Sequence, residues 1–204
     1  VPMYKAYLRT RLPDGTVTNV RVIGLDDATL LGGPPQMTRG TIEVLRRDGA
    51  IVLDEASLAN GLVMKTGLPG DGRRTLRVGD RLDINDHDVR IAGTFRKTAE
   101  FFWDPVAYTT FSRALMLAPP ERKQTTFILV KARPGQDRKA VARAIETATG
   151  LRALTAKEFD RLSTDYVLKK TGILVNFGIT ILLGFIIGVL VAGQLLYAFV
   201  LDNQ

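Results

Sequence analysis

Hydrophobic residues are arranged in two different ways along this chain. Across residues 171–201 they run on without a single charged residue among them. A bilayer core needs about 20 apolar helical residues, so this run of roughly thirty predicts a membrane-spanning helix with a turn or two to spare. Before it, apolar positions alternate with polar ones or recur at helical spacing, as in a water-soluble domain. Residues 4–11 and 16–25 alternate on either side of Leu12-Pro13-Asp14-Gly15 and predict a β-hairpin. Ile51-Val52-Leu53 reads as a short buried strand, and Asp54 then caps a helix that Gly61 stops. Residues 76–84 and 89–95 predict a second hairpin that turns through Asn85-Asp86-His87-Asp88.

Between these elements, residues 26–40 form a long connection containing Gly32-Gly33-Pro34-Pro35. Asp104-Pro105 predicts the start of a helix over 104–116, with proline at its first position and Pro119-Pro120 beyond its end. A βαβ unit follows. Its strand covers 126–132, its helix 137–149, and its returning strand 151–154. Val141, Ala144, Ile145 and Ala148 make one apolar helical face, and Gly150 is the stop. Thr155-Ala156-Lys157-Glu158 is a capping box that opens the next helix. Phe159, Leu162 and Tyr166 share one side of it. No proline intervenes before the membrane run, so the pattern predicts one nearly continuous helix over 155–201, approaching about 70 Å at 1.5 Å per residue. Gly172 is its only weak point. Such a helix can carry movement as a stalk, which a flexible linker cannot.

The membrane run is itself patterned. Gly172, Asn176, Thr180, Gly184, Gly188 and Ala192 recur every fourth residue, and Gly184 to Gly188 is a GxxxG. Small residues at this spacing let another helix approach closely, and the drift of an i+4 ridge suits a crossing partner. Asn176 and Gln194 are expected to face protein rather than lipid.

Composition sharpens the division. All 28 basic residues, and all but Asp202 of the 21 acidic ones, lie in residues 1–170, which are therefore net basic. That balance is expected to be a solvated basic surface, with attraction to anionic lipid or acidic partners as the alternative. The basic residues are scattered without a recognition motif, so nucleic-acid binding is not expected. With no cysteine there is no disulfide framework and no thiol nucleophile. His87 stands alone in a polar turn, and no metal site is expected there. The loop from Gly67 to Gly72 lacks the G-K-[ST] ending of a phosphate loop. Asp54, Glu55 and Ser57 read as helix capping, not as a catalytic group. No catalytic residue and no cofactor is expected, so the chain is read as a non-enzyme. Phe101-Phe102-Trp103 is its densest aromatic cluster, either a contact for lipid or a partner protein or a seal between two lobes. The chain opens in mid-strand and stops just after the apolar run, and is expected to be a piece of a longer protein.

Several segments together resemble a family. Val52-Leu53-Asp54-Glu55, Leu76-Arg77-Val78-Gly79-Asp80-Arg81-Leu82 and Val89-Arg90-Ile91-Ala92-Gly93-Thr94-Phe95 are similar in order and spacing to the periplasmic domain of MacB/FtsX-type ABC transporter permeases. The ending Val191-Ala192-Gly193-Gln194-Leu195-Leu196-Tyr197-Ala198-Phe199-Val200-Leu201-Asp202 resembles the second membrane helix of the DevC-like branch. The resemblance implies an α+β fold with a two-lobed periplasmic domain, a βαβ-rich lobe plus an inserted β-rich lobe, followed by a long stalk and transmembrane helix. Its expected limits are 1–154 for the core domain with 51–98 inserted, 155–170 for the stalk, 171–201 for the span, and 202–204 for the start of a cytoplasmic segment. It implies a homodimeric permease subunit in the bacterial inner membrane, with residues 1–170 periplasmic. An ABC ATPase subunit would hydrolyse ATP on another chain, and a periplasmic adaptor and an outer-membrane channel would complete an exporter of lipids, peptides or antibiotics. Lys169-Lys170 flank the N-terminal end of the span, which by the positive-inside rule points the other way, but large domains translocate largely regardless of charge. Two other readings stay open: a membrane-anchored sensor with a periplasmic ligand-binding domain, and an anchored domain of purely structural role.

Overall fold

The structure is a computed structural model that describes residues 1–60, 62–65, 73–97, 104–170 and 172–202. It divides into two compact units, Val1–Lys131 and Ala132–Gln204. The fold is mixed α+β: a sheet-rich unit, then helices that end in a long apolar one.

The first unit begins with the expected hairpin. β1 (Pro2–Arg11) and β2 (Val17–Leu25) pair antiparallel from Tyr4 opposite Gly24 to Arg11 opposite Val17. Gly15, at φ +82°, supplies the left-handed turn residue, and Asp14 accepts bonds from the Thr16 amide and hydroxyl. The 26–40 connection holds a short strand, β3 (Gln36–Arg39). β4 (Ala50–Asp54) is the buried strand, and α1 (Glu55–Asn60) follows it. Gly61, expected to stop α1, lies outside the described residues.

A small pair, β5 (Val63–Lys65) with β6 (Arg73–Thr75), stands off the main sheet. The second hairpin is shorter on one side than its sequence suggests: β7 is Arg81–Ile84 and β8 is His87–Arg96. Its turn is the two residues Asn85 and Asp86, at φ +51° and +64°, rather than a four-residue loop. Two positive φ values in a row give the turn that matches strand twist, and Asn and Asp tolerate them better than most residues.

The helix expected over 104–116 is corrected. Residues 106–110 form a strand, β9 (Val106–Thr110), and only Phe111–Leu117 is helical, as α2. Val106, Tyr108, Thr109 and Thr110 are β-branched or aromatic, and the strand is clamped between β2 and β4. Burial on both of its faces outweighs the Asp-Pro helix signal.

The sheet closes on itself. Strand order runs β10-β1-β2-β9-β4-β8-β3, where β10 is Phe127–Ile128, and β7 pairs with both β1 and β8. The ring β1-β2-β9-β4-β8-β7 is thus a small barrel. Its interior takes alternate residues: Tyr4 and Leu8, Val20 and Val22, Ile51 and Leu53, Leu82 and Ile84, Val89 and Ile91. Leu117 of α2 and Leu58 of α1 join that core. A second core on the other side of the sheet gathers Leu25, Leu30, Leu45, Val52, Phe95 and Val106. β4 therefore buries residues on both faces, which explains why its sequence is a continuous apolar run. β4, β7 and β8, of which all but Ala50 falls within residues 51–98, belong to the same sheet as β1 and β2.

In the second unit, α3 (Arg138–Thr149) follows the expected pattern. Asp137 caps it through the Lys139 and Ala140 amides, and Gly150 closes it at φ +69°. The two strands expected around it differ. Only Phe127–Ile128 is strand within 126–132, and 151–154 is not a strand. The capping box at Thr155 forms in full: Glu158 donates its amide to the Thr155 hydroxyl, and its carboxylate accepts from the Thr155 amide at 2.9 Å and hydroxyl at 2.7 Å. α4 (Ala156–Lys170) rises from it.

This packing can be tested at two places. A Cβ on Gly93 would sit 2.6 Å from the Arg39 carbonyl oxygen, at the bulge where the β4–β8 register skips from Ile91 to Gly93. Gly93→Ala is expected to destabilise the barrel by about 1–3 kcal/mol, read as faster hydrogen exchange of β8 amides; unchanged exchange would refute the close approach. The Glu158 carboxyl is held below the usual carboxylate range, first by the Thr155 amide and then by its hydroxyl. Because the folded value is the lower one, the box is fully present above the ordinary glutamate value and is lost as pH falls through the lowered one. The Thr155 amide resonance should titrate with Glu158, at a pH below that of an exposed glutamate, and should lose that titration in Glu158→Gln.

Candidate functional site

The residues singled out in the sequence concentrate in α4 and in the segment that follows it. Phe159, Leu162 and Tyr166 lie at i, i+3 and i+7 on α4, and all are exposed, Tyr166 at 65%. Their shared face is as expected. The helix does not run on from them. Gly172 has φ +65°, a left-handed conformation no α-helix contains, and a new helix, α5 (Ile173–Asp202), begins beside it. The continuous helix over 155–201 is therefore corrected to two helices with a joint. The same glycine starts the second helix, since its carbonyl accepts the Asn176 amide at 2.9 Å. Nothing lies within 4 Å of the position its Cβ would take. Glycine is needed there for its backbone conformation, not for space.

α5 is apolar over most of its length. Its segment Val175–Leu201, 27 residues that include an 18-residue window of mean hydropathy 2.5, is long and apolar enough to cross a membrane, and it is exposed. At 1.5 Å per residue it measures about 40 Å. Asn176, Thr180, Gly184, Gly188 and Ala192 lie on it as a ridge that drifts about 40° per step. Gly172, the first member in sequence, belongs to the joint instead. Positions Gly184 and Gly188 are open, with nothing within 4 Å of where a Cβ would stand. The Thr180 hydroxyl donates to the Asn176 carbonyl at 2.9 Å, so its donor is satisfied inside its own helix.

The remaining candidates are dispersed. Phe101, Phe102 and Trp103 lie outside the described residues, as does the loop from Gly67 to Gly72. His87 turns its Nδ1 to the Asn85 carbonyl at 2.8 Å within the hairpin. Among the described residues no three His, Asp or Glu side chains gather as a metal site. Asp54 caps α1 as expected, accepting the Ser57 amide at 2.8 Å. Its other oxygen accepts the Val106 amide, also at 2.8 Å, and the Lys97 ammonium lies 3.9 Å away. Sequence reasoning misses this long-range role because residues 104–116 read as a helix. The signal available is the β-branched content of 106–110.

Comparison with known proteins places these features in a family. Residues 1–148 match the model of the MacB-like periplasmic core domain. Similar solved structures include the extracellular domain of the noncanonic ABC-type transporter YknZ from Gram-positive bacteria, at 14% identity and TM-score 0.46, covering 76% of this chain and 80% of that one. The periplasmic region of MacB from Actinobacillus actinomycetemcomitans is similar at 14% identity and TM-score 0.46, covering 80% and 74%. A domain of a permease protein from Porphyromonas gingivalis has 17% identity and TM-score 0.45, covering 72% and 61%. These distant likenesses add no argument to the family match. No curated protein matches in sequence. With the family model covering most of its length, the chain belongs to the MacB-like periplasmic core domain family of the MacB/FtsX-type ABC transporter permeases.

Proposed function

We propose that this chain is part of the permease subunit of an ABC exporter. In this reading it couples ATP hydrolysis in the cytoplasm to a conformational change of residues 1–170 in the periplasm. The observation that carries the reading is the continuation of a MacB-like core domain, in one chain, into a helix with the length and hydropathy of a membrane span. ATP is hydrolysed on a separate ABC ATPase subunit, α5 lies in the bacterial inner membrane, and residues 202–204 begin a cytoplasmic segment. The subunit works as a homodimer whose close helix contact runs along Gly184 and Gly188, as the open glycine positions favour. A periplasmic adaptor and an outer-membrane channel complete the path for a lipid, peptide or antibiotic-like substrate. The ending at residues 191–202 favours the DevC-like branch.

The joint at Gly172 changes how movement is passed on. In this reading movement of α5 reaches α4 through the joint that contains left-handed Gly172, so transmission works as a hinge between two stiff helices and not as a single rod. Phe159, Leu162 and Tyr166 supply the contact face of the stalk, and membrane lipid surrounds the span.

Two experiments test the reading. Full-length protein should co-purify with an ABC ATPase and stimulate its hydrolysis; no ATPase in the complex would refute the assignment. Proline inside a helix costs about 3 kcal/mol or more, so Leu162→Pro and Tyr166→Pro should abolish export while leaving ATPase binding intact. Normal export in either variant would sink the stalk role. Gly172→Ala probes the hinge separately. An L-residue pays about 1–2 kcal/mol in the left-handed region, so alanine should extend helix across the joint. The expected result is higher helical content by circular dichroism together with altered export, and unchanged values for both would remove the hinge from the mechanism.

A further inference from the structure

A cavity of about 220 Å³ lies where three segments of the first unit meet. Arg47 precedes β4 and Ala50 begins it, Val78 and Gly79 lie just before β7, and Arg90 and Ala92 belong to β8. Backbone bonds fix the three segments to one another. The Arg90 amide donates to the Gly49 carbonyl at 2.7 Å, the Gly79 amide to the Ile91 carbonyl at 2.8 Å, and the Ile91 amide to the Asp80 carbonyl at 2.9 Å. The walls are thus set without a ligand, so little ordering cost falls on binding.

Arg47 and Arg90 are exposed. Among the described residues neither guanidinium has a hydrogen-bond or ion-pair partner. The carboxylates nearby in sequence are engaged elsewhere. Asp80 accepts the Arg74 Nη2 on both oxygens, at 2.7 and 2.8 Å, and Asp88 accepts from Arg81 at 2.9 Å. Asp48, which also lines the cavity, accepts the Gly49 amide and lies 3.6 Å from the Arg113 guanidinium. Two permanent cations therefore line one cavity with no anion of their own, and a guanidinium suits a carboxylate through paired N–H donors. Beside them the lining is apolar: Val78, 41% exposed, with Ala50 and Ala92. The space is smaller than the roughly 300–1,000 Å³ of usual ligand pockets, so it suits a short alkyl group and not a ring system.

We propose that this cavity binds a small aliphatic carboxylate. The Arg47 and Arg90 guanidiniums donate to the carboxylate oxygens, and Val78 packs against the alkyl body. A free short-chain acid and the C-terminus of a peptide ending in leucine offer the same chemistry. The site lies wholly in the first unit and does not rest on the exporter reading.

The probe is 4-methylpentanoate, added to the full chain in detergent micelles. It should shift the amide resonances of Gly79, Ile91 and Ala92 saturably, with a Kd of about 1–10 mM. Its uncharged amide should leave them unmoved. Arg47→Gln and Arg90→Gln should each weaken binding about tenfold, the effect of one lost charge-assisted bond, at an unchanged unfolding midpoint. Arg77→Gln removes the same charge from a residue that does not line the cavity, and should bind like the parent protein. A peptide ending in leucine that binds more tightly than the free acid assigns the site to a peptide C-terminus; equal or weaker binding assigns it to the free acid. Either result keeps the cavity. Absence of saturable shifts overturns the proposal. Equal binding of acetate or inorganic phosphate overturns it too, because the arginines would then pair loosely with any anion. So does equal weakening in Arg77→Gln, which would make net charge responsible.

Discussion

A strand of four residues closes the barrel, and the soluble unit depends on that closure. β7 pairs with β8 through a two-residue turn and with β1 through Thr10 and Arg11. Without it, Thr10 and Arg11 of β1 and residues 87–90 of β8 would present unpaired edges, and the interior set from Tyr4 to Ile91 would have one open side. The turn makes the double pairing possible. Asn85 accepts a left-handed conformation, donates its amide to the Arg9 carbonyl, and sends its side-chain amide to the Leu117 carbonyl at 2.9 Å. One residue thereby ties β7 to β1 and to α2, and so holds the lid of the core against its wall.

The same economy appears at the other end of the sheet. β4 lies between two strands and is buried on both faces, so a charged residue within it would face no water on either side. Asp54 is placed at its end, where backbone amides of α1 and β9 are available. There the carboxylate does what a hydrophobic residue could not, joining the ends of strands that do not pair with each other. The adjacent apolar positions Ile51, Val52 and Leu53 supply the burial that offsets its desolvation.

Local signals are legible in the sequence, and long-range ones are not. Asp14-Gly15, Asp54, Gly150, and Thr155 with Glu158 all act locally, and each is the turn, cap or stop its sequence predicts. The apolar run of α5 is equally plain, because no other element competes with an uncharged run of that length. Val106–Thr110 reads wrongly as helix because its strand character comes from β2 and β4, which lie far away in sequence. The barrel closure is invisible for the same reason: nothing in Arg81–Ile84 announces that it meets β1 as well as β8. Gly172 is a weak point in a helical pattern, but a lone glycine costs only about 1 kcal/mol there, too little to tell a tolerated glycine from a left-handed stop. The aromatic cluster at Phe101, Phe102 and Trp103 lies outside the described residues, yet the residues flanking it, Lys97 and Asp104, are fixed by contacts the sequence does not suggest.

The position of the joint also constrains how α5 can sit in a bilayer. The first four amides of any helix lack partners within it. At α5 the Asn176 amide finds the Gly172 carbonyl; a first-turn amide without such a partner needs water or another polar group. Hydrocarbon offers neither, at a cost of several kcal/mol for each unsatisfied group. The joint therefore belongs at the polar boundary, where Lys169 can also keep its charge hydrated. From there the segment of 27 residues covers a core of about 30 Å with about 10 Å left over for tilt or for the far headgroup region. In the proposed reading, a hinge at that depth would turn in water while the helix beyond it stayed in lipid. The left-handed glycine and the apolar run thus fix the same plane, one by its need for water and the other by its avoidance of it.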